Sequence, residues 1–476
     1  MQARLDAIAA TPDEAEVVAQ LLVSIDRFLE RQSVGLRVDA ARGIHASLIE
    51  GLGELGVFGA TIPTEWGGAG LSLHAAGSLV AGIARHDRAI ATTVGLHLGL
   101  GTRGLIALGT PAQQARWLPA LASGVTLAAF ATTEAGAGSD LMAVRTSARR
   151  DGERILVSGE KIFVTNGGFA GLFTVVAATP GMGGKAGHSL LLVQRGDGGV
   201  SIGAEEHKLG IRGSSTVTLY LDETSLSADR VLGQPGAGMR HLQDILSWGR
   251  TLMAAGCIGT ARAAVDATVH HVRTRRQFGR ALADMPVVRA QIATMAASIY
   301  AMEAIVRWAA SDPSALPARS LSAKVLCSEL SWECVDLAVQ LHGGSGFIED
   351  TGIPLLLRDA RIPRIFEGAN DVLLGHLGLL EAGAPRPSHS AVGLRVSDLR
   401  THLVRQFGVH LVRHPIPLRR LGTASAIRDG TEAVRERTPC ALGEHAQSLL
   451  EARADACLRA HSTDDTWQAV ADSVLQ

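Results

Sequence analysis

Glu367 lies in Ile365-Phe366-Glu367-Gly368, a carboxylate set between two apolar side chains and a glycine. Apolar neighbours raise a carboxyl pKa, which suits a base that must work near neutrality. On local grounds alone it reads better as an acid at a helix start, favoured by the macrodipole. Two other segments carry usable groups. In FATTEAGAGSD, Phe130 to Asp140, small residues let the backbone approach a flat ring or a phosphate, and Thr132, Thr133 and Ser139 offer hydroxyls. About twenty residues on, GEKIFVTNGG, Gly159 to Gly168, reads as a strand ending in an Asn-Gly turn. Residues 51–56, GLGELG, fit the dinucleotide fingerprint letter for letter. That fingerprint needs a preceding strand, and the residues before it have helical spacing, so it is a decoy. Cys257, Cys327, Cys334, Cys440 and Cys457 are odd in number and not closely paired, which argues against a disulfide framework and a zinc site.

The elements that must position these groups follow from periodicity. From Glu14 to about Ala122, apolar residues such as Ile44, Leu48, Leu52 and Leu55 recur at helical spacing, broken by Pro63 and Gly67-Gly68. Between Val125 and Leu232 come short runs rich in Val, Ile, Thr and Phe, separated by Gly- and Asp-containing turns, which predict a compact antiparallel β-domain. After Gly238 the helical period returns; Val288, Ile292, Met295, Ile299, Met302 and Val306 form the core stripe of a bundle helix. EAGAPRPSHS, from Glu381, reads as a linker to a tail of roughly ninety residues. The expected organisation is a helical domain over residues 1–123 and a β-barrel-like domain over 124–235. A four-helix bundle over 236–382 and a linker with helical extension over 383–476 complete it.

The chain is 476 residues long with a net charge of −1, which advertises neither nucleic-acid nor membrane binding. Its first residues, MQARLDAIAATPDE, lack the apolar core of a signal peptide, and Ala89 to Leu105 is too interrupted by His97, Arg103 and glycines for a membrane span. A cytoplasmic protein is expected.

Taken together, FATTEAGAGSD and GEKIFVTNGG resemble the acyl-CoA dehydrogenase family, and the resemblance continues in order through KLGIRGSSTVTLYLDE, RTRRQFG, AVQLHGGSGF and RDARIPRIFEGAND, covering about residues 15–382. The resemblance implies an FAD-dependent α,β-dehydrogenation of an acyl thioester, carried by CoA or an acyl carrier protein, to the trans-2-enoyl product. Such a reaction needs a cofactor that accepts a hydride, a carboxylate that takes the weakly acidic α-proton, and hydrogen bonds at the thioester oxygen.

By that resemblance Glu367 is the base, and its backbone N–H serves the thioester oxygen. Some members place the base before the arginine of the long helix, where this chain has Gly249. Phe130, Thr132, Thr133, Ser139, Phe163 and Thr165 are implied to line the FAD, with Ser139 also near the substrate. Arg275, Gln277 and Phe278 are implied at its ADP portion, and Gln340, Gly343 and Gly344 reach it from a neighbouring subunit. Ala369, Asn370 and Asp371 complete the cofactor set, while Ser247, Arg250 and Gly368 belong to the substrate side.

Departures from the family pattern are Ala135 for Pro, Ala369 for Thr, Pro286 for Gln and Ser247 for Asp or Asn.

Between Arg386 and Arg428 there are eight arginines against one acid, Asp398, and from Asp429 onward nine acids against four arginines. The two halves either neutralise each other as packed helices or present a basic surface to an acidic carrier protein or an anionic membrane. A comparable extension in the very-long-chain branch accompanies a homodimer, whereas shorter members are homotetramers. Electron-transfer flavoprotein is the implied electron acceptor. Rival readings are a flavin oxidase or monooxygenase on the same fold, or a non-catalytic assembly or nucleic-acid-binding relative.

Overall fold

The computed structural model describes residues 12–182, 187–384, 386, 388, 390–437 and 440–459. Most of the N-terminal stretch read for a signal peptide, three residues of the linker (385, 387 and 389) and the acidic end of the tail therefore fall outside the described residues.

Seven helices open the chain: α1 Pro12–Gln32, α2 Leu36–Ala41, α3 Ala46–Glu54, α4 Leu73–His86, α5 Arg88–Leu96, α6 Thr102–Leu108 and α7 Pro111–Ala122. Residues 51–56, the decoy, lie in and just after α3 with no strand before them. Caps set several boundaries. Ser72 accepts from the Ala75 N–H, Asp87 from the Ile90 N–H, and Thr110 and Gln113 form a reciprocal capping box. Between α5 and α6 the chain makes a π-helical turn, His97–Gly101, an element concentrated at functional sites. Ala89 to Leu105 is helical and mostly buried, as expected.

The middle domain is an eight-stranded sheet. Its strands are β1 Leu127–Ala131, β2 Ser147–Asp151, β3 Arg154–Thr165, β4 Ala170–Thr179, β5 Gly187–Gln194, β6 Val200–Ile202, β7 Thr216–Ser227 and β8 Val231–Leu232. The order is β6-β7-β3-β2-β4-β5-β8, with β1 added on β4. Most pairings are antiparallel, but β1 and β2 each pair with β4 in parallel, so the all-antiparallel expectation is corrected. Parallel neighbours need long crossovers, and the Gly-rich loop after β1 is part of one. Sequence alternation does not distinguish the two pairings, because inward and outward faces alternate in both.

The bundle is built from α8 Gly238–Thr274, α9 Pro286–Ala310, α10 Leu316–His342, α11 Ile353–Arg361 and α12 Asn370–Gly383. A short hairpin of β9 Arg276–Gln277 and β10 Arg280–Ala281 joins α8 to α9. Helix α8 is long and apolar enough to cross a membrane, yet most of that stretch is buried as the central helix of the bundle.

The tail folds as α13 Ala391–Phe407, α14 Pro415–Glu436 and α15 Ala441–Arg459. It joins the bundle's core, with Leu418, Leu421, Ile427 and Leu450 packed in one cluster with Leu326, Leu374 and Leu377. Glu381 is no linker residue: it is helical and 2% exposed, and it accepts from Arg428 Nη1 at 2.8 Å. Arg386 and Arg428 both bond Asp429, and Arg395 pairs with Asp455, so the halves of the tail do neutralise each other in part. Arg419 pairs with Asp371 of α12, Arg437 with Glu303 of α9 and Arg453 with Glu333 of α10. Among the described residues Arg405 and Arg413 make no ion pair, and they flank the exposed Val409 and Val412.

Candidate active site

The connection from α11 to α12 is a 3₁₀ turn, Ile362–Arg364, after which the chain runs through two residues of positive φ, Glu367 at +55° and Gly368 at +102°. A non-glycine residue there is uncommon and persists only when its surroundings fix it. Two buried cations do so. Arg250 Nε of α8 donates to the Glu367 carbonyl at 3.1 Å, and Lys324 Nζ of α10 donates to the Gly368 carbonyl at 2.7 Å.

The Glu367 side chain itself is left unspent. The residue is half-buried, but its Oε2 is sealed from solvent and has no hydrogen-bond partner. Burial pushes its pKa up to about 7, against the downward pull of Arg250, Lys324 and Arg88. The carboxylate is thus ionised above neutrality with a free lone pair, the condition for accepting a proton.

Gly249 explains part of this geometry. A Cβ there would lie 2.9 Å from Glu367 Oε2 and 2.4 Å from Leu100 Cδ2. The position that could have carried a rival base is instead the gap into which the Glu367 carboxylate fits. Leu100 belongs to the π-helical turn, whose Gly99 faces Gly249 on one side. On its other side Gly101 abuts Ala128 of β1, and His97 Nδ1 accepts from the Ala128 N–H at 3.1 Å. One turn therefore joins Glu367's surroundings to the strand that leads into the Gly-rich loop.

That loop is pinned by an ion pair within the quoted motifs. Lys161 Nζ, 0% exposed, donates to Glu134 Oε1 at 2.6 Å and to the Thr132 carbonyl at 3.1 Å. Glu134 also accepts from the Arg145 and Thr146 N–H groups at 2.7 and 2.9 Å. Burial works to raise its pKa, but Lys161, Thr146 and Arg145 outweigh that and hold it at about 2. Phe130 is buried at the end of β1, Thr132 and Thr133 are half-buried, and Ser139 is exposed at the rim.

In β3, Phe163 has φ +55° and stands 60% exposed at an irregularity in the pairing with β7, with Thr165 half-buried beyond it. Asn166 Nδ2 ties this end to the Thr93 carbonyl at 2.9 Å.

Other expected site residues lie elsewhere. Arg275, Gln277 and Phe278 form the turn beyond α8, and Gln340, Gly343 and Gly344 end α10. The His271 and His342 rings stack at 4.4 Å, so both turns share one end of the bundle. Twenty-five helical residues separate Arg250 from Arg275, roughly 37 Å. Neither turn reaches the Glu367 of its own chain, and the six residues lie together at this end of the bundle.

Ser247 is buried and its hydroxyl donates back to the Gln243 carbonyl at 2.7 Å. Asp371 is exposed and paired with Arg419 at 2.6 Å. Asn370 is buried: its Oδ1 accepts from Lys324 at 2.7 Å, and its Nδ2 donates to Ser328 and Glu329. Ala369 is the N-cap of α12 and makes no side-chain cap. No group of three or more potential metal ligands occurs among the described residues.

Sequence reasoning missed Lys324, Glu134, Lys161 and Arg88. Lys324 carried a signal, a lone charge in the otherwise uncharged SLSAKVLCS.

Comparison with known proteins matches three family models in chain order: the acyl-CoA dehydrogenase N-terminal domain over residues 17–125, the middle domain over 129–224 and the C-terminal domain over 236–378. The mitochondrial very long-chain specific acyl-CoA dehydrogenase of Mus musculus is 35% identical over 372 residues, 76% of this chain and 57% of that protein. The chain thus spans little more than half the length of that relative. A probable acyl-CoA dehydrogenase of Mycobacterium leprae is 36% identical over 65% of this chain and 81% of its own length. An acyl-CoA dehydrogenase from Bacillus anthracis, solved in complex with FAD, superposes with a TM-score of 0.80 at 25% identity, covering 99% of this chain and 93% of that one. The chain belongs to the acyl-CoA dehydrogenase family.

Proposed function

We propose that this protein is an FAD-dependent enzyme that desaturates the α,β-bond of an acyl thioester, with Glu367 removing the α-proton. The observation that carries this reading is the Glu367 carboxylate, with a sealed, unpartnered Oε2 and a pKa pushed up to about 7. The residues present fit FAD. The Gly-rich loop with Thr132 and Thr133 lies against β3, where the Ile162 N–H donates to the Thr133 carbonyl at 2.8 Å and Phe163 stands exposed, and β1 before it is joined to the surroundings of Glu367 through one π-helical turn. Bound there, FAD supplies the hydride acceptor that no side chain offers.

The chain's own groups do the rest. Glu367 holds the proton taken from the substrate's α-carbon, and its desolvated setting keeps that carboxylate basic enough to accept it. Its backbone N–H is the proposed donor to the thioester oxygen, where charge develops. Arg250 holds the turn that aims both groups. The thioester is carried by CoA or an acyl carrier protein, and the reducing equivalents pass to an electron-transfer flavoprotein.

Two copies complete each other's site. The turn at Arg275, Gln277 and Phe278, with Gln340, Gly343 and Gly344, stands exposed and far from its own Glu367, which favours a homodimer in which it serves the second copy. Phe278, 92% exposed at φ +51°, is poorly explained without something to cover it. An anionic membrane is the proposed surface for Arg405 and Arg413 beside Val409 and Val412.

Anaerobic titration with a panel of acyl-CoA and acyl-carrier-protein thioesters tests the reading. Bleaching of the flavin absorbance by at least one of them is expected. A protein that cannot be reconstituted with FAD, or one whose flavin no thioester bleaches, would overturn it.

A further inference from the structure

Lys324 is fully buried on α10, in a helix whose neighbouring residues are apolar or small. Taking an ammonium out of water costs several kcal/mol, and a methionine or leucine would pack there at no such cost. Burial pulls its pKa down to about 8, with Glu367 and Glu329 among the groups that oppose this.

Its hydrogen bonds show what the charge is used for. One goes to the Gly368 carbonyl and one to Asn370 Oδ1, both at 2.7 Å. Asn370 is fixed in turn by Ser328 at 2.9 Å and Glu329 at 2.7 Å, both one turn along the same helix. The lysine therefore anchors the residue after the base to α10, while Arg250 anchors the base's own carbonyl to α8. Consecutive positive φ values at Glu367 and Gly368 need such clamping on both sides.

We propose that Lys324 is a positioning residue for the general base, holding the Gly368–Ala369 peptide that follows it in place and biasing the Glu367 carboxylate toward its ionised form. This rests on the assignment of Glu367 as the base. The charged groups around Glu367 are Arg250 on α8, Arg88 on α5 and Lys324 on α10. Those around Lys324 are Glu367, Cys257, Arg250 and Glu329. Loss of the lysine leaves two cations near Glu367, so its titration must move up from about 7 while remaining measurable.

The test uses the FAD-loaded protein and Lys324→Met. The infrared band of the protonated Glu367 carboxyl is identified by its loss in Glu367→Gln and followed with pH, with no substrate present. In Lys324→Met that titration should rise by about one pH unit. The kcat at pH 7 should fall roughly 10- to 100-fold with KM changed less than about twofold, the signature of a misplaced base. Unchanged titration and kcat in the folded variant would overturn the proposal. So would a lower kcat with an unmoved titration, which marks a merely structural lysine.

If Lys324→Met does not fold, Asn370→Ala keeps the charge and removes its anchor. A fall in kcat with KM held supports the positioning role, and wild-type kcat refutes it. Because the infrared titration needs no turnover, it decides the role of Lys324 even if no thioester proves to be a substrate.

Discussion

Gly249→Ala adds one methyl group to the long helix and should damage the reaction more than the fold. The new carbon would sit 2.9 Å from Glu367 Oε2, where ordinary contact begins near 3.4 Å. The carboxylate must therefore retreat by at least about 0.5 Å, since the helix backbone is fixed by its neighbours on every side. The closer clashes, 2.4 Å to Leu100 Cδ2 and 2.8 Å to its Cγ, require that whole side chain to shift as well. Overpacking of this kind costs about 1–3 kcal/mol of stability.

The effect on chemistry is larger. A displacement of about 1 Å at the reacting atoms costs roughly 100-fold, so half that distance corresponds to about 10-fold or somewhat more. Steady-state kinetics with any accepted acyl thioester, together with a thermal melt of the FAD-loaded protein, separates the two losses. The expected result is kcat down about 10- to 100-fold, KM little changed and the flavin retained. Wild-type kcat in a folded variant would show that Glu367 does not need the space above Gly249, and would refute the fit inferred here.

Glu367→Gln should keep the fold and the flavin while turnover falls by several orders of magnitude, because the amide cannot accept a proton; near-normal flavin bleaching would remove Glu367 from its role. In the parent enzyme kcat should rise with pH through about 7 as Glu367 ionises, and a flat profile from pH 5.5 to 8.5 would contradict the raised pKa. Lys161→Met leaves Glu134 in the β-domain without its cation, held by two backbone N–H groups, and should cost about 3 kcal/mol and weaken FAD retention, read by melting and by flavin release on dilution. Arg428→Leu leaves Glu381 and Asp429 with Arg386 as their one remaining cation where the tail meets α12, so denaturant unfolding should show a loss near the lower end of about 3–5 kcal/mol; a change below about 1 kcal/mol would mean the tail is only loosely attached.

Periodicity carried the architecture. The spacing of Ile44, Leu48 and Leu52, or of Met295, Ile299 and Met302, records which face of a helix is buried, and the β-rich texture between Val125 and Leu232 is equally local. Glu367 drew attention through the resemblance carried by RIFEGAND, since its apolar neighbours alone leave it an acid near a helix start. Pairings across the chain were not legible. Glu134 and Lys161 lie 27 residues apart, and Lys324 reaches Asn370 across 46, distances over which composition says nothing about contact.

In the tail, mutual neutralisation of the two halves is borne out in part by Arg428 with Asp429, but the partners Glu381 and Asp371 lie on α12, where the composition of the tail says nothing of them. Ser247 satisfies its hydroxyl on the carbonyl four residues back, a local bond open to any helical serine.

The roughly 37 Å of α8 between Arg250 and Arg275 has a genetic consequence. If each copy lends its far turn to the other, a chain disabled at Glu367 still offers an intact turn, and a chain disabled at Arg275 and Phe278 still offers an intact base. Either homodimer is dead, but a heterodimer of the two has one wholly wild-type site and one doubly damaged one. Two recessive alleles at opposite ends of this helix would then rescue each other, to a ceiling set by random subunit assortment.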